Sequence, residues 1–140
     1  MVDIINVVKR NGRGKEPLNI EKIHEMVEYA CEDVSGVSSS QVEMNSGLQF
    51  YDNISTGEIQ QILIKSASDL ISLDQPNYQY VAARLLLYSL RKQVIDRLWD
   101  HPHIYDHVKK SVNKGIYDET LLTKYQRKDF DRMENWINHE

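Results

Sequence analysis

The chain has 140 residues, of which 41% are hydrophobic and 27% charged, so it can form a folded core and is not globally disordered. Its 17 basic and 21 acidic residues give a net charge of −4, which excludes the basic surface of a general nucleic-acid binder. One cysteine, Cys31, excludes an internal disulfide framework and a cysteine-cluster zinc site. No signal peptide and no apolar run of ~18–20 residues is visible, so we expect a soluble, cytoplasmic protein without nucleic-acid or membrane partners.

The first twenty residues predict a β-hairpin. A β-branched, apolar run ends at Val8, and an Asn-Gly step of the kind found in tight turns follows at Asn11-Gly12. We therefore expect a strand over about 3–10, a glycine turn and a return strand over about 14–18. Pro17 cannot donate a ladder hydrogen bond, which places the return strand at a sheet edge.

The pattern then becomes helical. Asn19 is the predicted N-cap of a first helix, whose apolar positions run from Ile20 to Val34. Ser40 and Glu43 predict a capping box for a second helix that ends near Phe50.

A turn at Asp52-Asn53 precedes the third predicted helix. Ser55 and Glu58 can form a second capping box at its start, and Thr56 is the alternative N-cap. Its inner stripe consists of Ile59, Ile62, Leu63, Ala67, Leu70 and Ile71. Pro76 opens the longest helix, over about 77–98. Because residues 81–87 are apolar on nearly every side, we expect this helix to be central.

Shorter helices are predicted beyond His101-Pro102-His103, over about 104–114, 118–124 and 127–138. We expect residues 1–96 to form a complete domain and 97–140 to begin a larger one. The predicted fold class is α+β, mainly α. A small amino-terminal β-hairpin or sheet caps a four-helix cluster, and short helices follow.

Basic residues are concentrated in the predicted hairpin turn, which holds Lys9, Arg10, Arg13 and Lys15 and no acid. Cations around a glycine-containing turn suit a polyphosphate, although a solvated hairpin tip has the same composition. Thr56 at a helix start either shares a phosphate or only caps the helix. Arg91-Lys92 near a helix end either binds an anion or only complements the helix dipole. If the three elements converge, Lys9, Lys22, Thr56 and Lys92 surround one triphosphate.

The sequence gives little support for a metal site or a catalytic site. His103 and His107 are four residues apart, as helix-borne metal ligands are, but no glutamate follows His103 as H-E-x-x-H requires. We therefore expect no metal site. The sequence contains no G-x-S-x-G, Walker A or G-x-G-x-x-G pattern, and we assign no catalytic residue.

Two segments, Val7-Val8-Lys9-Arg10-Asn11-Gly12 and Glu16-Pro17-Leu18-Asn19-Ile20-Glu21-Lys22-Ile23, resemble the ATP-cone, the regulatory module at the amino end of many ribonucleotide reductase large subunits. Residues 76–85, 105–108 and 115–118 resemble the bacterial and phage class I large (alpha) subunit itself. The resemblance covers essentially the whole chain. It implies a domain that binds ATP or dATP, with or without Mg²⁺, as a switch of overall activity, and no redox cofactor in this chain.

The resemblance also implies which residues bind the nucleotide. The phosphate ligands would be Lys9, Arg10, Lys22, Thr56 and Lys92. The adenine and ribose would lie along Glu16, Pro17, Leu18, Asn19, Ile20, Glu21, Lys22 and Ile23. Within that segment, Leu18 and Ile23 would give apolar contact, and Glu16 and Asn19 polar recognition.

One position departs from the family pattern. Where relatives often carry Asp-x-His beside the sugar, this chain has Glu58-Ile59-Gln60. An amide both donates and accepts, so we expect a modest preference between ATP and dATP, about tenfold or less. Inhibition of a reductase by dATP through this domain would then be weak or absent.

The family's enzymes reduce ribonucleotides to deoxyribonucleotides for DNA synthesis, with a thiyl radical and a pair of redox cysteines in a later barrel domain. Cys31 matches none of these cysteines, so the resemblance implies that this chain alone does not catalyse the reaction. The parent protein would be a ribonucleoside-diphosphate reductase several times longer, of which this chain is a fragment or split product. Expected partners are adenine nucleotides, the remainder of the alpha subunit and a radical-generating beta subunit.

Two alternatives stay open. The chain could be a helical interaction module with no nucleotide ligand. It could also belong to a cone-containing regulator, although transcriptional repressors of that kind pair the cone with a cysteine-rich zinc ribbon that this sequence lacks.

Overall fold

A computed structural model describes residues 4–96 and 100–138. The chain divides into two compact units, Met1–Gln93 and Val94–Glu140. Each unit is described separately below.

The first unit begins with the predicted hairpin, whose strands are β1 (Asn6–Val8) and β2 (Lys15–Pro17). They pair antiparallel, with Asn6 opposite Pro17, and the sheet order β2-β1-β3 confirms that Pro17 lies on an edge strand. Both strands are shorter than predicted, and a single turn of 3-10 helix occupies Arg10–Gly12, at the end of the predicted first strand. Residue 3, the first of the predicted strand, lies outside the described residues.

The sheet has a third strand that the sequence did not predict. Strand β3 (Ile54–Ser55) pairs parallel to β1, with Val7 opposite Ile54 and Val8 opposite Ser55. The predicted turn before it is confirmed, and Asp52 there accepts a hydrogen bond of 2.8 Å from the backbone N–H of Asn6. A two-residue strand is too short for a detectable alternation of apolar and polar residues.

The first two helices are α1 (Ile20–Cys31) and α2 (Ser39–Gly47). Asn19 caps α1 as predicted, accepting a hydrogen bond of 3.1 Å from the N–H of Lys22. The predicted Ser40–Glu43 capping box is wrong, since Ser38 is the N-cap of α2 and makes no side-chain capping bond. Instead the Ser38 N–H donates to the Tyr78 hydroxyl at 3.0 Å, so a long-range contact fixes this helix start.

Helix α3 (Thr56–Asp69) begins with the predicted capping box. The Ser55 hydroxyl accepts from the N–H of Glu58 at 3.1 Å, and the Glu58 carboxylate accepts from the N–H of Ser55 at 2.9 Å. Its buried positions are Ile59, Gln60, Leu63, Ser66 and Ala67. Placing Ile71 in the inner stripe was wrong, because it lies beyond the end of the helix and is exposed.

Helix α4 (Tyr78–Ile95) packs one face into the core. The residues of that face are Tyr78, Val81, Ala82, Leu85, Tyr88 and Ser89. The predicted central position of this helix is wrong to the extent that its other side is not covered, since Leu86, Leu87 and Leu90 are 44–46% exposed. Residues 97–98 of the predicted helix lie outside the described residues.

The first half of α4 holds the connection between α1 and α2 in place. The Tyr78 hydroxyl donates to Gln41 at 2.6 Å while accepting from Ser38. The Arg84 guanidinium donates to the carbonyl oxygens of Ala30, at 3.2 Å, and Glu32. These oxygens belong to the last turn and C-cap of α1, where carbonyl groups lack partners within the helix.

We expect Arg84→Ala to lower the free energy of unfolding by about 1–2 kcal/mol, because hydrogen bonds to a charged group contribute more than neutral ones. Denaturant unfolding measures this loss. Arg91→Ala is the matched control on the same helix. The Arg91 guanidinium lies 5.9 Å from the Tyr88 ring centroid, a contact worth about 0.5–1 kcal/mol. Equal losses in the two variants would contradict a capping role for Arg84.

The second unit contains α5 (Ile104–Asn113), α6 (Thr120–Lys124) and α7 (Arg127–Glu134). All three predicted helices are present, the last two shorter than predicted. Phe130 of α7 is buried against Tyr105 of α5, with ring centroids 5.5 Å apart.

His103 caps α5 rather than pairing with His107. Its Nδ1 accepts from the N–H of Tyr105 at 3.1 Å, and its Nε2 lies 3.2 Å from an Asp131 carboxylate oxygen. Across residues 4–96 and 100–138, no three His, Cys, Asp or Glu side chains are grouped as metal ligands would be. Nor does any helix in these ranges combine the length and apolar character that crossing a membrane requires.

Candidate functional site

The parallel pairing of β1 and β3 joins two of the predicted site elements. Val8 lies opposite Ser55, and the two strands are parallel. Lys9 and Thr56, the next residue after each strand, therefore lie at the same end of two neighbouring strands. Thr56 is also the first residue of α3, a helix of 14 residues. The basic hairpin turn therefore lies next to a helix amino terminus, which carries a partial positive charge.

One acidic side chain, that of Glu16, lies beside the basic residues of the hairpin. Lys9 Nζ lies 2.7 Å from the Glu16 carboxylate, across the turn. This hydrogen bond holds the pKa of Glu16 below its usual value, with smaller contributions from the charges of Lys9 and Lys22. Lys22 lies in the first turn of α1, and its side chain is exposed. The structure pairs Lys9 directly with Glu16, and Lys22 acts on Glu16 only through its charge.

Arg10 has an unusual environment. Its Nη1 is buried and has no hydrogen-bond partner. A buried donor left without a partner costs about 1–3 kcal/mol, and more when it is charged. An anion that reached this nitrogen would relieve that cost.

The predicted adenine and ribose segment runs from β2 into α1. Leu18 is half-buried, and its N–H donates to the carbonyl of Ile5 at 2.8 Å. Ile23 is buried and belongs to the core, whereas Ile20 is 68% exposed. Pro17, Asn19, Glu21 and Lys22 are also exposed. Most of this segment is therefore open to a ligand, with Ile23 beneath it.

Gln60 is buried one turn into α3. Its Nε2 lies 3.0 Å from the sulfur of Met26 on α1, and its Oε1 is buried without a partner. Sulfur is a weak acceptor, so neither end of this amide is well satisfied within the protein. The contact with Met26 escaped sequence reasoning, because Met26 is indistinguishable there from the rest of the apolar stripe.

Lys92 is half-buried in the last turn of α4. In the part of the chain that the structure describes, no hydrogen bond or ion pair joins Lys92 to the hairpin or to Thr56. The convergence of this third element with the other two therefore stays a prediction.

Glu58 occupies the amino terminus of α3. Its carboxylate accepts from the Ser55 hydroxyl at 2.6 Å, from the Ser55 N–H and from the Tyr51 hydroxyl at 2.8 Å. These bonds, led by that from the Ser55 side chain, lower the pKa of Glu58. A negative charge thus already neutralises part of the helix dipole. A further anion here would depend on Thr56 and the hairpin cations.

This geometry predicts acid sensitivity. A carboxyl whose folded-state pKa is lowered stabilises the fold above its ordinary pKa, 4.5 for Glu58, and loses that contribution as the pH falls through the lowered value. The same holds for Asp52, whose pKa is lowered by its bond from the Asn6 N–H. We expect the melting temperature to fall below about pH 4.5, and to fall less steeply in Glu58→Gln. Thermal unfolding from pH 6 to pH 3 measures both, and parallel curves would contradict this role of Glu58.

Residues 5–93 match the ATP-cone family, described as the ATP cone domain. The chain is 47% identical over 133 residues to the ribonucleoside-diphosphate reductase subunit alpha of Haemophilus influenzae, covering 95% of this chain and 17% of that protein. It is 46% identical over 134 residues to ribonucleoside-diphosphate reductase 1 subunit alpha of Escherichia coli, covering 96% of this chain and 17% of that protein.

The corresponding subunit of enterobacteria phage T4 is 36% identical over 141 residues, covering 99% of this chain and 18% of that protein. The chain thus spans about one sixth of the length of these curated relatives, 17% to 18%.

Proposed function

The chain belongs to the ATP-cone family, and we propose that its first unit binds ATP or dATP as the allosteric, overall-activity domain of a ribonucleoside-diphosphate reductase alpha subunit. The observation that carries this proposal is the pairing of β1 with β3, which sets the basic hairpin beside the start of α3. A triphosphate needs several cations and hydrogen-bond donors within one small volume, and this junction offers them.

In this proposal the phosphates lie against Lys9, Arg10, Lys22 and Thr56. The buried Nη1 of Arg10 gains the partner that it lacks in the protein alone. The Glu16 carboxylate, 2.7 Å from Lys9 Nζ, holds the lysine in place before the nucleotide arrives. When the nucleotide binds, Lys9 then contacts a phosphate in place of Glu16 or together with it. Lys92 joins this group from the end of α4. Mg²⁺, if it accompanies the nucleotide, would be held by the phosphates themselves.

The base and sugar follow the segment from Glu16 to Ile23. Leu18 and Ile23 supply apolar contact, and Glu16 and Asn19 supply polar recognition, with Pro17, Ile20 and Glu21 completing the edge. The exposure of most of this segment supports a ligand-facing role. Gln60 is assigned to the sugar, since it has a buried carbonyl oxygen without a donor. ATP offers a 2′-hydroxyl to such an oxygen and dATP does not.

Regulation rather than catalysis fits the chemistry of the chain. Its single cysteine is half-buried, and burial raises the pKa of the Cys31 thiol, which lowers the fraction present as the reactive thiolate. Reduction of ribonucleotides would therefore belong to the remainder of an alpha subunit, working with a radical-generating beta subunit. We also propose the boundary near residue 96 as the end of the regulatory domain. The division into two compact units at residues 93 and 94 supports it.

Calorimetric titration of the chain with ATP, dATP and, as a control, GTP tests nucleotide binding directly. A ligand at 100 times its dissociation constant stabilises the folded state by about 2.7 kcal/mol, so a melting shift should accompany the heat. The absence of both heat and a melting shift with ATP and with dATP would contradict the proposal. That result would favour the alternative of a helical module without a nucleotide.

A further inference from the structure

The imidazole ring of His24 lies between two carboxylates. Its Nδ1 is 2.9 Å from Oε1 of Glu43 on α2, and its Nε2 is 3.3 Å from Oε1 of Glu28, one turn further along α1. The side chain of His24 is 48% exposed, and that of Glu43 only 24%. One ring thus connects two helices of the first unit, through residues that the proposed nucleotide site does not use.

This geometry favours one protonation state of the ring. A carboxylate oxygen only accepts hydrogen bonds, so each ring nitrogen needs a proton to bond to the carboxylate beside it. The imidazolium carries both protons. A neutral ring carries one, and its other nitrogen then presents a lone pair to a carboxylate. The contacts of His24 with Glu28 and Glu43 are therefore both favourable only while the ring is charged.

The surrounding carboxylates favour the same state. On α1, Glu25 and Glu28 act on His24 through their charge, and Glu21 lies one turn before it. On α2 the facing group is Glu43, which is the one charged residue of that helix. The bond with Glu43 is the largest effect, and together these carboxylates raise the pKa of His24 above its ordinary value of 6.5.

The cations on neighbouring elements act elsewhere. Lys22 precedes His24 by two residues, on another side of α1, and its charge acts on Glu16. Arg84 of α4 donates to carbonyl oxygens at the carboxyl end of α1. The positive charge that meets Glu43 is therefore that of the imidazolium.

Helix α2 is the element that this contact can control. It has nine residues, its buried side chains are those of Val42 and Ser46, and its N-cap Ser38 makes no side-chain capping bond. A helix this short is marginal in water without tertiary contacts. The bond between His24 and Glu43 is one of the contacts that hold it against α1.

We propose that His24, Glu28 and Glu43 form a proton-operated latch: the imidazolium fastens α2 to α1, and loss of its proton to solvent loosens α2. Histidine is the side chain suited to such a switch near neutral pH. The latch is fully closed below pH 6.5 and opens as the pH rises through the raised pKa of the folded state. Because an exposed ion pair contributes little to global stability, the effect belongs to α2 and not to the whole fold.

NMR titration of the full 140-residue chain from about pH 5.5 to pH 9 tests the latch. We expect the ring of His24 to titrate with a midpoint above 6.5, and the backbone amide signals of α2 to shift with that same midpoint. His24→Asn identifies the ring signal. It also keeps a donor near the position of Nδ1 that does not titrate, so the transition in the α2 amides should disappear.

Two glutamate variants separate the contact from general charge. Glu43→Gln removes the carboxylate that bonds to Nδ1 and should lower the midpoint of His24 toward 6.5. Glu25→Gln removes the same charge from the residue next to His24, which acts without a bond, and should lower it less. Equal shifts in the two variants would overturn the latch.

The unsubstituted chain tests the proposal without any variant. A midpoint of His24 at or below 6.5 would overturn it. So would amide signals of α2 that do not follow the titration of the ring. Since no nucleotide is added, these results do not depend on whether the chain binds ATP, and the two proposals fail or succeed separately.

Discussion

Lys9→Ala should weaken the binding of ATP by about 10- to 150-fold, which corresponds to the roughly 1.5–3 kcal/mol of a hydrogen bond to a charged group. The expectation rests on position. Lys9 directly follows β1, beside the start of α3, and its ammonium group is held 2.7 Å from Glu16 rather than moving freely. A preorganised cation loses less conformational entropy on binding than a mobile one. Titration calorimetry with ATP measures the change.

Lys65→Ala is the matched control for this variant. Lys65 also forms a lysine–carboxylate ion pair, with Asp69 at 2.6 Å, but it lies near the opposite end of α3 from Thr56. Both substitutions remove one positive charge and one surface ion pair, so their effects on stability should be similarly small. Equal losses of ATP affinity in the two variants would show that overall charge, and not the hairpin site, governs binding.

Gln60→His should shift the preference between the two nucleotides toward dATP by about tenfold or more, or about 1.4 kcal/mol. Gln60 is buried against Met26, with its Oε1 unpartnered, and in the proposed site this residue faces the sugar. The amide donates and accepts and can adapt to the 2′-hydroxyl. A neutral imidazole has one donor and one acceptor on a rigid ring, and it adapts less well. Dissociation constants of ATP and dATP for the parent chain and the variant measure the shift.

The neighbouring residue supplies the control. Gln61 has the same side chain on the same helix but is exposed, so Gln61→His should leave the ratio of the two affinities unchanged. For the unsubstituted chain we expect that ratio to be tenfold or less. A strong preference for dATP in the parent chain, unaffected by Gln60→His, would show that the sugar is recognised elsewhere.

Tertiary structure decided the features on which these predictions depend. The parallel pairing of Val8 with Ser55 crosses more than forty residues of sequence, and a two-residue strand has no periodicity of its own. From sequence patterns alone, Lys9 and Thr56 share a ligand only if their elements converge. The pairing brings the backbones of these two residues together, and their shared ligand, like the role of Lys92, stays a proposal.

The sequence by itself determined the features that depend on neighbouring residues: the Asn19 cap, the Ser55–Glu58 capping box, the hairpin and the edge position of Pro17. Their hydrogen bonds close within a few residues, so local chemistry is sufficient. Only the tertiary structure decided that Tyr78 fixes the start of α2, that Gln60 is buried against Met26, and that Leu87 and Leu90 face outward. A run of apolar residues shows that a helix is hydrophobic, but which side is covered depends on the elements that pack against it.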